Sequence, residues 1–246
     1  MTETTTSRRR RPDGPNAGVL AVVSLALTIA SVLVPPLLAS GTPFPSPLGS
    51  TAAVSGYFVQ HSAAASVTGF LVFAASVPLG IYAATVYARM QRLGIRVPGP
   101  TIALVGGIAA SILLSISGLL AWALGQPVAG RPPALLHTLD YVVYALGGVG
   151  FVTGLGLLIA GIAVPALILG LAPRWLAWAG LILAGLSELS FFALLIPQLA
   201  FLLPVCRFLG LAWLSVVGFL LPRDRHDVPR RGDRAGTAPS ASEVGR

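Results

Sequence analysis

Glu188, Arg207 and Asp140 are charged side chains set inside long apolar runs of a 246-residue chain. A charge held in hydrocarbon is costly, and it is kept where it pairs with another charge, relays a proton or lines a pathway. Glu188 and Arg207 lie at equal distances on either side of Pro197-Gln198. If two helices meet at that point, a rise of 1.5 Å per residue puts both side chains about 14 Å from the turn. Matched depth predicts a Glu188–Arg207 ion pair. Such a pair acts either as a lock on helix register or as the charged centre of a transport path. Glu188 shares a helical face with Gly180 and Ala184, which turns it toward the bundle interior. A second arrangement places the turn at Pro204, and Arg207 then reaches for the outer interface.

Asp140 heads another group. His137, Asp140, Tyr141 and Tyr144 recur at helical spacing, and His61 stands at the outer end of a different apolar run. His61, His137, Asp140 and Tyr144 together predict an external vestibule that takes a cation or a proton. The bland account of the same residues is interfacial tyrosines plus a carboxylate near a helix N-terminus. His61, His137 and Asp140 have the donor types zinc accepts but are scattered rather than spaced as ligands, so no metal is expected. No histidine stands mid-span to hold haem, and no cofactor is expected. The single cysteine, Cys206, has no partner for a disulfide within the chain. Its apolar helix makes it an inert thiol despite Arg207 beside it. The chain lacks a His-Glu-x-x-His pattern, a nucleophile elbow and a phosphate loop, so no catalytic residue is assigned. Gly148-Val149-Gly150 lies inside an apolar run with no strand before it, which excludes a dinucleotide loop.

The elements that carry these residues follow from composition. Hydrophobic residues make up 55% and charged residues 10%, with a mean hydropathy of +0.84. Soluble domains carry about a quarter charged residues, so a water-soluble domain is excluded, and disorder is excluded for the bulk of the chain. Crossing a hydrocarbon core of ~30 Å takes about 20 apolar residues. Six runs qualify: 17–39, 63–88, 102–124, 139–164, 175–196 and 199–221. They predict an all-α, polytopic membrane bundle of six transmembrane helices over residues 17–222. A disordered basic tail is expected at 1–16, and a disordered cytoplasmic tail at 223–246. The first run follows four arginines, as in a signal peptide, but it is longer than the ~7–15 residues of a signal core. An uncleaved first span is therefore expected.

Every basic residue is arginine. The N-tail, the second loop, the fourth loop and the C-tail hold all of them except Arg131 and Arg207. Arginine collects in cytoplasmic segments, so both termini are expected inside. The pI near 11 is then a topological signal, and no nucleic-acid partner is expected.

Between the first two spans, Pro43, Pro45 and Pro47 predict an extended piece, and residues 54–60 predict a short interfacial turn. The fourth span is overlong, with no charge from 142 to 172, so Pro165 is expected to kink or end it. Small residues recur along it: Gly147, Gly154 and Gly161 follow Asp140 at intervals of seven, and Gly150 pairs with Gly154 as GxxxG. Such stripes allow close helix approach, and packing within the molecule is favoured over a dimer face.

The segments Gly147-Gly148-Val149-Gly150-Phe151, Pro173-Arg174-Trp175-Leu176-Ala177-Trp178-Ala179-Gly180, Leu186-Ser187-Glu188-Leu189-Ser190 and Gly218-Phe219-Leu220-Leu221-Pro222 carry a likeness. The chain resembles uncharacterised multi-pass membrane proteins of high-GC bacteria, of the domain-of-unknown-function type. The resemblance implies six helices in a bacterial inner (plasma) membrane and supplies no activity. Two function classes remain in front. One is a small-solute or ion-coupled transporter using Glu188 and Arg207. The other is a non-enzymatic scaffold or regulatory subunit that binds another membrane protein, or a second copy, through a glycine face. A membrane enzyme ranks third. A transporter also predicts inverted repeats of three spans each, although the halves show no sequence match.

Overall fold

The structure, a computed structural model, describes residues 14–222. The expected tails lie outside the described residues, apart from Gly14, Pro15 and Asn16. Within them the fold is all helical. The helices are α1 (Ala17–Leu38), α2 (Thr51–Gln60), α3 (Ser62–Arg92), α4 (Gly99–Leu124), α5 (Pro133–Tyr144), α6 (Phe151–Leu169), α7 (Arg174–Leu189) and α8 (Leu202–Leu220). A π-helical turn, Ala145–Gly150, joins α5 to α6. Two 3₁₀ turns, Ser190–Leu194 and Pro197–Phe201, separate α7 from α8.

Local chemistry sets the helix ends. The Asn16 side chain accepts from the Gly18 N–H and starts α1, and Ser50 accepts from the Ala53 N–H and starts α2. Pro100 and Pro133 stand in the first turns of α4 and α5, where a missing N–H costs nothing. Gly170, at φ +65°, closes α6 in the left-handed conformation that glycine adopts without strain.

Six segments are long and apolar enough to cross a membrane: Ala17–Leu38, Ser62–Arg92, Gly99–Leu124, Pro133–Leu169, Arg174–Leu194 and Pro197–Leu220. Their outer faces are apolar too, with Leu37 81% and Ile168 73% exposed. Water would not tolerate such a continuous apolar exterior, whereas lipid is its natural solvent. The chain is an integral, multi-pass membrane protein in contact with the bilayer.

The spans form a closed ring in chain order, α1 against α3, α3 against α4, α4 against α6, α6 against α7, α7 against α8 and α8 back against α1. Closure brings the first and last spans together: a Cβ on Gly218 would fall 2.7 Å from the Gly18 nitrogen. Both ends of the described chain therefore lie at one end of the bundle, here called basal. The segment from Ser40 to His61 and the loop before α5 lie at the other, apical end. The fourth span is the most buried member of the ring, with Phe151, Leu155, Leu158, Ile159 and Ile162 fully buried on α6.

Polar side chains fasten the ring by bonding to carbonyls of neighbouring helices. Tyr82 donates to Leu214 O (3.1 Å) and Arg89 to Gly218 O (3.1 Å) and Leu221 O (3.4 Å), tying α3 to the basal end of α8. Trp213 Nε1 donates to Leu176 O, tying α8 to α7. Ser111 donates to Ser76 O, and Ser76 and Ser115 share a hydroxyl bond of 2.6 Å across α3 and α4.

Two expectations change in detail. Pro165 does not end the fourth helix, which runs through it to Leu169. A π turn at Ala145–Gly150, fifteen to twenty residues earlier, interrupts the regular α-helix of the span. Residues 54–60 belong to a ten-residue helix, Thr51–Gln60, rather than to a turn.

Candidate functional site

The apical half of the bundle holds a cavity of about 450 Å³, partly open to its surroundings. Its walls come from α1, α3, α4, α5, the π turn and α8. Its roof is the proline segment, with Pro43, Phe44, Pro45 and Pro47 all facing it. A volume in this range suits a small organic molecule.

Alternate prolines keep residues 42–46 out of regular structure. Phe44 anchors the segment by edge-on contacts to Tyr57 (5.6 Å) and Phe58 (5.7 Å) of α2. Burial in this aromatic cluster pushes the Tyr57 hydroxyl above its ordinary range. His137 holds the other end. Its Nε2 lies 2.8 Å from Pro47 O and its Nδ1 2.8 Å from Thr51 Oγ1. A carbonyl only accepts, so Nε2 carries the proton and donates to Pro47. The ring also stacks on Tyr141 at 5.1 Å. His137 is thus a clasp on the roof, while Asp140 and Tyr144, one turn and two turns further on, face the cavity.

The cavity floor is the π turn. Widening one turn to i→i+5 bonding disturbs the regular ladder, and backbone inside a membrane must be satisfied by neighbours. Two side chains do this. Ser117 of α4 donates to Val143 O (2.9 Å), and Arg207 of α8 donates through Nη2 to Gly147 O. The Arg207 guanidinium also lies over the Phe151 ring, 5.0 Å from its centroid. Gly147 stands four residues from the middle of its 37-residue span, about 6 Å along the axis. The cavity therefore reaches from the apical roof to near mid-depth.

Polar groups on the walls differ in what they have left to offer. The hydroxyls of Ser31, Thr68 and Ser117 donate to the carbonyls of Thr28, Ala64 and Val143. Asp140 is 1% exposed, and its Oδ2 has no hydrogen-bond partner. The Tyr144 hydroxyl has none either. Arg207 uses one N–H on Gly147, out of the five a guanidinium carries. The unspent chemistry of the cavity is one carboxylate, one phenol and one guanidinium.

Compared with models of known protein families, with curated proteins and with solved structures, the chain matches none. The functional reading therefore rests on the geometry.

The sequence-predicted residues part company here. Glu188 and Arg207 do not pair. Glu188 Oε1 has no hydrogen-bond partner and lies where a Cβ on Gly156 would be only 2.9 Å away. Arg207 sits at Gly147 and Phe151. Both lean on the fourth span, but five to nine residues apart along it, which is about 8–13 Å. The turn does fall near Pro197, and Pro204 lies inside α8, so Arg207 is near the centre of its span and not at the outer interface.

The expected vestibule is also rearranged. Asp140 and Tyr144 line the cavity, His137 clasps its roof, and His61 packs on Tyr57 at 5.3 Å without lining it. Among the described residues no three His, Cys, Asp or Glu side chains come together to hold a metal. The four glycines Gly147, Gly150, Gly154 and Gly161 all face α4, against Ser117, Leu113, Ala110 and Ala103.

Proposed function

We propose that the protein is a small-solute transporter whose binding site is the cavity between the proline roof and the π turn. The observation that carries this reading is a mid-depth cavity at an interruption of helical backbone, lined by an unpartnered carboxylate and a guanidinium. Transporters place their sites near the bilayer midplane, where broken helices line a polar space. A membrane interior otherwise excludes both charges and irregular backbone. The proposal moves the centre of the site from Glu188 and Arg207 to Asp140 and Arg207. The scaffold alternative needs a glycine face turned outward, and the stripe of the fourth span is spent against α4. As part of the same reading, arginine placement and the likeness to multi-pass proteins of high-GC bacteria put the chain in a bacterial inner membrane with both termini cytoplasmic.

Alternating access supplies the test. A cysteine is placed at Val72, on the α3 wall of the cavity, in a Cys206→Ser background. Sealed vesicles are treated with a small charged thiol reagent from one side at a time. A transporter is expected to react from both sides, because the cavity opens to each in turn. Reaction from the apical side alone overturns transport and leaves a one-sided binding protein. No reaction from either side overturns a solute path altogether.

A further inference from the structure

We infer that the cavity takes a bipolar solute: an elongated, largely apolar molecule with a cationic amine at one end and a carboxylate or phosphate at the other. The inference rests on the transporter reading of this cavity and specifies its substrate class. Asp140 and Arg207 both line the same space. They do not neutralise each other. Asp140 lies seven residues before Gly147, the residue whose carbonyl holds the Arg207 guanidinium, and seven helical residues span about 10 Å.

The hydroxyls between them are already occupied, apart from that of Tyr144. Ser117 donates to Val143 O and Thr68 to Ala64 O. Val72, Val143 and Leu203 supply apolar wall. The occupant that satisfies both ends must therefore bridge a greasy middle. A buried carboxylate with no donor is a standing cost, and an ammonium or other cationic amine on the occupant removes it. The Arg207 guanidinium keeps further N–H donors in a fork suited to a carboxylate or a phosphate.

Electrostatics separates this class from its halves. A purely cationic amphiphile gains Asp140 but meets Arg207, and a purely anionic one gains Arg207 but meets Asp140. In a low-dielectric cavity the opposing charge is felt across its length. A bipolar molecule meets an attractive group at each end. An α-amino acid carries its ammonium and carboxylate on one carbon and reaches only one end.

The test measures binding of three probes to the purified full chain in a non-ionic detergent by calorimetry. The probes are ω-aminooctanoate, octanoate and octylammonium. The bipolar probe is expected to bind at least tenfold more tightly than either single-headed one. Asp140→Asn is expected to reduce it to the affinity of octanoate, and Arg207→Gln to that of octylammonium. Should Arg207→Gln fail to fold, Arg207→Lys keeps the charge and is expected to retain the preference with reduced affinity. Single-headed probes that bind as tightly as the bipolar one overturn the inference, as does a bipolar probe indifferent to Asp140→Asn. Failure of all three probes while Val72→Cys still reacts from both sides overturns the bipolar class and leaves the transporter reading standing. Failure of both experiments removes both.

Discussion

Arg207 and Glu188 show how differently two charges of the same helical hairpin are treated. Arg207 meets an acceptor and an aromatic face; Glu188 Oε1 meets neither donor nor cation. Removing a bonded partner leaves a buried group unsatisfied, at about 1–3 kcal/mol, whereas removing an unsatisfied group costs little or is favourable. Arg207→Leu is therefore expected to destabilise the protein by about 1–3 kcal/mol, because Gly147 O loses its donor. Glu188→Leu is expected to be neutral or stabilising. Groups that share no partner add independently, so the double mutant should show coupling below about 0.5 kcal/mol. Thermal unfolding of the four proteins in one detergent measures this cycle. A double mutant that recovers the loss of Arg207→Leu would mean the two side chains do pair. The sequence made both residues visible, since a charge in an apolar run stands out. Their partners were not legible, because matching depth by counting residues assumes one rise and one rotation throughout. The 3₁₀ turns at Ser190–Leu194 and Pro197–Phe201 rewind the chain between them.

Among elements, the fourth span does the most, and its two halves pack by different means. Along α6 the backbone lies directly on α4: a Cβ at Gly161 would fall 2.5 Å from Gly99 O and closer still to the Ala103 nitrogen. Backbone cannot step aside as a flexible side chain does, so Gly161→Leu is expected to cost about 1–3 kcal/mol or to prevent folding. Gly185 on α7 has nothing within 4 Å of its added Cβ, and Gly185→Ala is expected to gain about 0.5–1 kcal/mol from helix propensity alone. Comparing their melting temperatures tests whether contact or glycine itself decides; equal effects would refute the packing argument. Nearer the apical end, the roof is anchored at Phe44 and clasped at His137. His137→Phe keeps a ring against Tyr141 but loses the bonds to Pro47 and Thr51. Losing about 1–2 kcal/mol of hydrogen bonding should speed hydrogen exchange at the Leu48 and Gly49 amides roughly 5–30-fold, read by mass spectrometry. Unchanged exchange there would show that Phe44 and its aromatic neighbours hold the roof unaided. All six spans were legible because hydropathy over some twenty residues averages out local irregularity. The π turn was not, since Ala145–Gly150 reads like the rest of a glycine-rich helix. The roof was half legible: alternate prolines announce an extended piece, but nothing local says it folds back over a cavity.

At the scale of the whole molecule, the fold and its orientation are separate problems with separate physical causes. Packing fixes the ring through contacts that do not sense which side of a membrane they occupy. Orientation is set during insertion by the charge of the flanking segments. Arg89 belongs to both accounts. It sits beyond the apolar part of α3 with Arg92 and Arg96, and it also donates to Gly218 O and Leu221 O. Arg96 lies in the loop after α3 and serves as a topological reporter without disturbing those bonds. In a Cys206→Ser background, Arg96→Cys is expected to react with a membrane-impermeant maleimide only after cells are opened. Ser50→Cys, on the apical segment between the roof and α2, is expected to react on intact cells. Loss of a single arginine leaves the N-tail and C-tail bias in place, so the reporter itself does not invert the protein. The reverse labelling pattern would put the cavity mouth on the cytoplasmic side. The ring, the clasp and the π turn would survive that result unchanged, and the state described here would then be the one that opens toward the cytoplasm.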